Sequence, residues 1–427
     1  MADNTPLYNL KAVINEVGLT PATLRAWERR YGLLKPHRSP GGHRLYSRRD
    51  IDLLKWLIDR QQEGLSISSA VEMWKSQHEG YEDTSLPIHT PVPVTGTGET
   101  ILNGLREQWI TACLAFNDQA ANRTLDQAFA VAAPEMILAE VLQKGLAQLG
   151  ERWYAGAISV QQEHFASAIA IRRVNALLAA AASPTRPGHI LAACPPGEEH
   201  DFVLLTTVYL LRRASWDVVY LGSNVPLLDL DATIQSTSPI LILSCAQTLK
   251  TAASLRLMSE YIQLQGVPLA YGGGIFNQVP DATRYISGYY LGSSVGGVPD
   301  RIEQLVIAQP PMPFAQPVSA QYKEILNSLT QNEAAIVANV SSAFQPEQIK
   351  PAHLAYAITQ LNQFISSALI LGDINLMDHS IAWLNGLLKS YGLSINWIGH
   401  YYGTYRQAIE LYLGEAGQPI LEKLANY

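Results

Sequence analysis

Hydrophobic and polar positions follow different rhythms along this chain. Between residues 100 and 183, apolar side chains recur every three or four positions in an Ala- and Leu-rich background, which predicts a helical bundle. From 188 to 308, short apolar runs alternate with helical patterns, which predicts a doubly wound, Rossmann-like parallel α/β sheet. Its expected strands are HILAACP (189–195), WDVVYLG (216–222), ILILSCA (240–246), PLAYGGG (268–274) and YYLG (289–292). Beyond 318 the helical rhythm returns, with helices expected near 319–342, 346–371, 373–391, 394–413 and 415–425. At the other end, a short amphipathic helix from Leu10 to Val17 meets a turn at Gly18. Thr20 can cap a second helix with Pro21 at its first position. A Gly-turned basic loop, HRSPGGHRLYS (37–47), and further amphipathic helix up to 76 complete a winged helix-turn-helix pattern.

Two stretches break these rhythms. Residues 79–99 are rich in Pro, Gly and Thr without periodicity and read as a flexible linker. QPPMPFAQP (309–317) reads as a second linker. The expected organisation is therefore a head (1–78), a linker (79–99), a helical bundle (100–184), an α/β domain (185–308), a linker (309–317) and an all-α domain (318–427).

Composition changes the picture in one respect. The 427 residues carry a formal charge of −7, yet residues 1–49 hold nine Lys/Arg against three acids. The head is thus at +6 and the rest at −13. Such asymmetry suggests a nucleic-acid-binding head. Three cysteines (Cys113, Cys194, Cys245) form no CxxC pair, which suits a reducing cytosol. The N-terminus has no signal-peptide pattern, and no apolar run reaches about 18 residues. A soluble, cytoplasmic, nucleoid-associated bacterial protein with no membrane partner is expected.

TPATLRAWERRYGLLKPHRSPGGHRLYS (20–47) resembles the MerR family of winged-helix regulators. The resemblance implies binding to double-stranded operator DNA. The second helix would enter the major groove and the wing would contact phosphates. Thr20, Arg25, Arg29, Arg30, Tyr31, Arg38, His43, Arg44 and Tyr46 are the implied DNA contacts. Trp27 has two readings, a DNA contact or packing between helix and wing. No sustained heptad follows the head, so any dimerisation is expected downstream.

In the α/β segment, Glu198 and His200 follow the first strand, Ser244 follows the apolar run of the third, and Gly272, Gly273 and Gly274 end the fourth. Ligands of such sheets bind at the carboxyl ends of the strands. This constellation resembles the cobalamin-binding domain of methionine synthases, corrinoid proteins and mutases. It implies His200 as the lower axial ligand of cobalt, with the displaced nucleotide tail running past Ser244 and the glycines. Val203 departs from that family's pattern, where a Gly is usual.

In the preceding bundle, Ser159 and Gln162 can form a capping box. Glu163 and His164 follow in the helix's first turn, and Trp153 is expected on the loop before it. The spacing from Trp153 to Glu163–His164, together with the domain order, resembles the light-responsive adenosylcobalamin-dependent carotenogenesis repressors. It implies that Trp153, Glu163 and His164 surround the upper face of the cofactor. Tyr154 stands where that family has a cobalt-capturing His, and a phenol is a poorer ligand at neutral pH.

The last segment carries WIGHYYGTYRQ (397–407). Its faint resemblance to globin-like bilin modules of the photocobilins makes His400, Tyr401, Tyr405 and Arg406 candidates for a second chromophore site. The other reading is a helical oligomerisation domain with core aromatics. The expected function is a cobalamin-dependent, light-responsive regulator, not an enzyme. The state of the upper ligand would control homo-oligomerisation, as dimer or tetramer, and hence operator binding. The alternatives are a MerR-type regulator whose α/β domain senses another ligand or a protein partner, or one whose main photosensor is a bilin. A corrinoid methyl carrier or mutase subunit is disfavoured by the DNA-binding head.

Overall fold

The computed structural model describes residues 8–17, 19–21, 23–24, 27, 34, 37–38, 44–62, 71, 98–345 and 349–427. The chain divides into two compact units, 1–93 and 94–427.

In the first unit, β1 (Tyr8–Asn9), β2 (His37–Arg38) and β3 (Arg44–Tyr46) form an antiparallel sheet in the order β1-β3-β2. Arg38 pairs with Arg44 across the wing. Helix α1 (Leu10–Val17) and helix α2 (Arg48–Gln62) pack over it. Ser47 caps α2, accepting from Asp50 N at 3.2 Å while the Asp50 carboxylate accepts from Ser47 N at 2.7 Å. Thr20 Oγ1 accepts from Thr23 N at 3.1 Å, as expected of a cap. Val13, Leu24, Ile51 and Leu54 form a closed core. Trp27 packs against that core, which favours its packing reading.

The second unit begins with helices α3 (Gly98–Leu114), α4 (Asp118–Val131), α5 (Lys144–Tyr154) and α6 (Val160–Ala179). A short helix at Pro134–Ile137 and a π-helical stretch at Leu138–Gln143 lead into α5. Ser159 and Gln162 form the expected capping box of α6. Five parallel strands follow: β4 (His189–Ala193), β5 (Asp217–Gly222), β6 (Leu241–Cys245), β7 (Leu269–Gly272) and β8 (Tyr289–Tyr290). Their order is β5-β4-β6-β7-β8. The connecting helices are α7 (Phe202–Arg213), α8 (Leu230–Thr237) and α9 (Leu249–Leu264), with α10 (Val298–Ala308) after β8. These strands lie inside the runs read from sequence, because a sheet covered on both faces demands continuous apolar strands.

Alternation along the strands builds two cores. Ile190, Ala192, Leu241 and Leu243 face α7 and α10. Leu191, Ala193, Ile242 and Leu269 face α9 and the C-terminal helices. The bundle shares a third core with α7, through Phe202, Leu205, Tyr209 and Leu210.

The C-terminal helices are α11 (Ala320–Ser342), α12 (Pro351–Leu371), α13 (Asp378–Ser390), α14 (Ile395–Leu413) and α15 (Gln418–Leu424). They are continuous with the core on that side of the sheet, including Met258 and Ile262 of α9. Helix α12 is long and apolar enough to cross a membrane by length and composition, but 61% of its apolar window is buried inside the protein. It is the central helix of this core.

Two expectations are corrected here. Residues 309–317 do not behave as a free linker. Pro313 O accepts from Gly288 N at 2.9 Å, Gln316 N donates to Arg284 O at 2.9 Å, and Tyr289 OH donates to Pro310 O. Proline richness removed donors without removing acceptors, and the neighbouring backbone uses them. Second, Tyr401 and Tyr405 do not line a chromophore site. Both are fully buried, and Tyr405 OH bonds Asn362. Spaced four apart, they share the inward face of α14, whereas His400 and Arg406 are exposed. The four groups do not converge.

A buried arginine joins the C-terminal helices to the α/β layer. Arg256, 4% exposed, donates to the carbonyls of Leu371 (2.8 Å), Gln316 (3.0 Å) and Tyr285 (3.2 Å). Replacing it with methionine keeps apolar bulk but strands three carbonyls. Arg256→Met is expected to destabilise the unit by about 3 kcal/mol. Thermal and urea denaturation of the full chain check this, and an unchanged midpoint would remove Arg256 from the clasp role.

Candidate functional site

The site is built from the loop after β4. Glu198 is fully buried there. Its Oε1 accepts from His200 N at 2.9 Å and from His200 Nδ1 at 3.0 Å. Its Oε2 accepts from Thr251 Oγ1 at 2.6 Å and from Gln247 N at 2.7 Å. Burial alone would push this carboxyl upward. The hydrogen bonds from His200, Thr251 and Gln247 outweigh it and hold the carboxyl below its ordinary value. The hydrogen bond to that carboxylate raises the His200 imidazole above its usual pKa against the opposing desolvation, with the Glu163 and Glu199 charges adding. An ionised carboxylate only accepts, so Nδ1 carries the proton and donates. In the neutral ring Nε2 is then the nitrogen with the free lone pair. The loop is further fixed by Asn224, whose side chain accepts from Gly197 N at 2.7 Å and whose N–H donates to Glu198 O at 2.8 Å.

Two adjoining spaces open at this end of the sheet. A cavity of about 490 Å³ is lined by His200, Glu198 and Trp153, among others. Trp153 lies in the last turn of α5, not on the loop after it, and is 36% exposed. A narrow channel of about 80 Å³ is lined by Ser244, Gly272 and Gly273, and by Val203. Gln247 lines both. Ser244 Oγ is buried without a hydrogen-bond partner. Gly273 has φ +127°, and a Cβ there would fall 1.9 Å from Ala246 O. The glycine is therefore required by the strand end itself. Val203 narrows the channel at the position where the resemblance implies a Gly.

Glu163 and His164 stand at the N-terminal turn of α6 and are not among the residues lining the cavity. Glu163 accepts from Ser167 Oγ at 2.7 Å and lies 2.7 Å from His164 Nδ1. His164 is largely exposed.

At the head, Thr20 is exposed at its helix cap and Arg44 is half-buried on the wing strand. Tyr46 is a correction. Its ring is fully buried in the head core, because it ends β3 among the apolar side chains of α1 and α2. Arg38 is placed by its backbone only, and Arg25, Arg29, Arg30, Tyr31 and His43 lie outside the described residues.

A family model described as MerR HTH family regulatory protein matches residues 8–77, and one described as B12 binding domain matches residues 105–178. The HTH-type transcriptional repressor CarH of Myxococcus xanthus is 35% identical over 239 residues, spanning 56% of this chain and 78% of that protein. CarA of the same organism is 31% identical over 219 residues, spanning 51% and 68%. The chain belongs to the CarH/CarA family of HTH-type transcriptional repressors. Among solved structures, the monomethylamine corrinoid protein of Methanosarcina barkeri covers 49% of the chain with all of its own length, at 13% identity and a TM-score of 0.40.

In this CarH/CarA family member, sequence reasoning missed one whole wall of the cavity. Tyr356, Gln360, Gln363 and Phe364 of α12 and His379, Ser380 and Trp383 of α13 line it. The signal was present, since 356, 360, 363 and 364 share one helical face that interrupts an apolar helix with two glutamines. Tyr154 is not in the wall. Its OH donates to Trp383 O at 2.7 Å, and its ring stacks on Trp383 with centroids 5.6 Å apart.

The Glu198–His200 pair has a definite pH signature. Glu198 is held low and His200 high, so both are charged between the two values. The Glu198 contribution to stability is present above the ordinary carboxyl range and lost as pH falls through its lowered pKa. The His200 contribution is complete below the ordinary imidazole range and lost as pH rises through its raised pKa. Glu198→Gln is expected to bring the His200 pKa down, measured by NMR titration of the imidazole. An unmoved titration would show that the carboxylate does not control His200.

Proposed function

We propose that this chain is a cobalamin-dependent transcriptional regulator whose cofactor state controls assembly and, through it, operator binding. One observation carries the reading. A free imidazole nitrogen, fixed by a buried carboxylate, faces a cavity beside a channel holding an orphaned buried hydroxyl. A corrinoid with a separated nucleotide tail needs both, a nitrogen donor for its metal and a slot for its tail. The matched B12-binding and MerR-type regions and the named relatives support it.

In this reading His200 Nε2 would hold the cobalt of the corrinoid. Glu198 orients the ring and fixes its tautomer, as partners of metal-bound imidazoles do. Ser244 hydrogen-bonds the tail, and Gly272 and Gly273 leave it room. Trp153, with Glu163 and His164 on the neighbouring helix, would hold the adenosyl group of adenosylcobalamin. When bound, adenosylcobalamin supplies a light-labile cobalt–carbon bond. A change in what Trp153, Glu163 and His164 contact would then shift the population of assembled states. The head binds double-stranded DNA through Thr20, Arg25, Arg29, Arg30, Tyr31, Arg38, His43 and Arg44. The protein acts in the cytoplasm as a homo-oligomer, a dimer or tetramer.

The full chain reconstituted with adenosylcobalamin in the dark is expected to be coloured and to bind DNA as an oligomer. His200→Ala is expected to weaken cobalamin binding at least about tenfold. Binding to the unmodified protein should strengthen as pH rises through the raised His200 pKa, because cobalt and the proton compete for Nε2. Illumination should change both spectrum and size by gel filtration. A protein that stays colourless would favour a different ligand. Photolysis with fixed size and DNA affinity would overturn the light-controlled assembly.

A further inference from the structure

Two walls of the 490 Å³ cavity are anchored separately. Among the described residues, the bundle shares a core with α7, and the C-terminal helices share one with α9 and the sheet. Neither core joins the bundle to the C-terminal helices. Yet the bundle brings Trp153 to the cavity, and α13 brings Trp383.

Tyr154 bridges these two walls. It follows Trp153 at the end of α5, half-buried and outside the cavity lining. Its OH donates to Trp383 O at 2.7 Å, and its ring stacks on the Trp383 indole with centroids 5.6 Å apart. Gly386 makes room for it. That residue lies three positions after Trp383, on the same face of α13. A Cβ there would fall 1.7 Å from the Tyr154 hydroxyl oxygen and 2.7 Å from its Cζ. The three atoms nearest to such a Cβ all belong to Tyr154. A glycine inside a helix lowers stability relative to alanine, and here the space it leaves is taken by the tyrosine.

A bulky, rigid occupant such as a corrinoid enters where walls part with least loss. That place is the seam with no core across it, and Tyr154 pins the seam beside both tryptophans. Closure around a ligand commonly turns on a few such contacts at the edge of rigid parts.

We propose that Tyr154 is the catch of a gate between the bundle and the C-terminal helices, whose release from Trp383 admits and discharges the occupant of the cavity. The proposal rests on the cobalamin reading for its ligand. The catch is made with the cavity empty or filled, so it cancels from the affinity and governs the rates.

The test uses the full chain and adenosylcobalamin in the dark. Uptake is followed by stopped-flow absorbance, and release by displacement with excess cyanocobalamin. Tyr154→Phe keeps the ring and loses the hydroxyl. It is expected to speed both uptake and release about fivefold, the factor one ordinary hydrogen bond supplies, with Kd unchanged. Gly386→Ala keeps the tyrosine but takes its place, and is expected to speed both rates at least as much. In a Tyr154→Ala background, Gly386→Ala should add nothing, since both changes open the same catch. Unchanged rates in Tyr154→Phe overturn the gate and leave the cobalamin reading standing. Faster release with a matching loss of affinity and unmoved uptake would make Tyr154 a ligand contact, which also overturns it. An unmodified chain that takes up no corrin overturns the cobalamin reading and the gate with it.

Discussion

Burial of the Glu198 carboxylate is the constraint on which the site depends. An unpaired carboxylate in such a place costs several kcal/mol, so the chain around it is arranged to supply donors. They come from two loops, the His200 loop after β4 and the Gln247–Thr251 turn after β6. Satisfying one charge therefore fixes the relative position of two strand ends. It also leaves His200 with one donor nitrogen engaged and one acceptor nitrogen free. The orientation of the imidazole is a by-product of hiding the carboxylate.

The C-terminal helices obey a second constraint of the same kind. Arg256 places a buried guanidinium between α9, the 309–317 strap and the end of α12. Its donors are satisfied only when those segments meet. The result is one body in which α12 faces two ways. Leu354, Ile358, Leu361 and Ile365 enter the shared core, while Tyr356, Gln360 and Gln363 line the cavity. A region that reads as an appendage in sequence is a wall of the site.

What was legible in the sequence was what local physics determines. Strands buried on both faces are continuous apolar runs, and their limits were visible to within about two residues. Capping chemistry at Thr20 and at Ser159–Gln162 follows from residue type and spacing alone. Glu198, His200 and Trp153 were found because loop position and motif spacing coincide, and the structure brings them to one cavity. What was not legible depends on partners distant in sequence. Tyr46 reads as a wing residue until the head core of α1 and α2 closes around it. Tyr401 and Tyr405 read as a chromophore wall until helical phase turns them inward and His400 and Arg406 outward. The proline-rich strap reads as a linker because its anchors, Arg256, Arg284 and Gly288, lie up to 60 residues away. Trp153 reads as a loop residue because a helix's last turn and the loop after it have the same local pattern.

The charge division gives these parts a common logic. Residues 1–49 carry +6, and a head of that size neutralises few phosphates, so its single-site affinity is modest and falls with salt. The remaining −13 repels DNA rather than helping. Linking several heads raises their effective concentration at adjacent sites without any new protein–DNA contact. A regulator so built needs no change within the head to be switched. Under the function proposed above, it needs only a body whose association depends on what occupies its cavity. A cavity walled by the bundle, the sheet loops and the C-terminal helices is suited to that, because an occupant touching all three can bias how they present their outer faces.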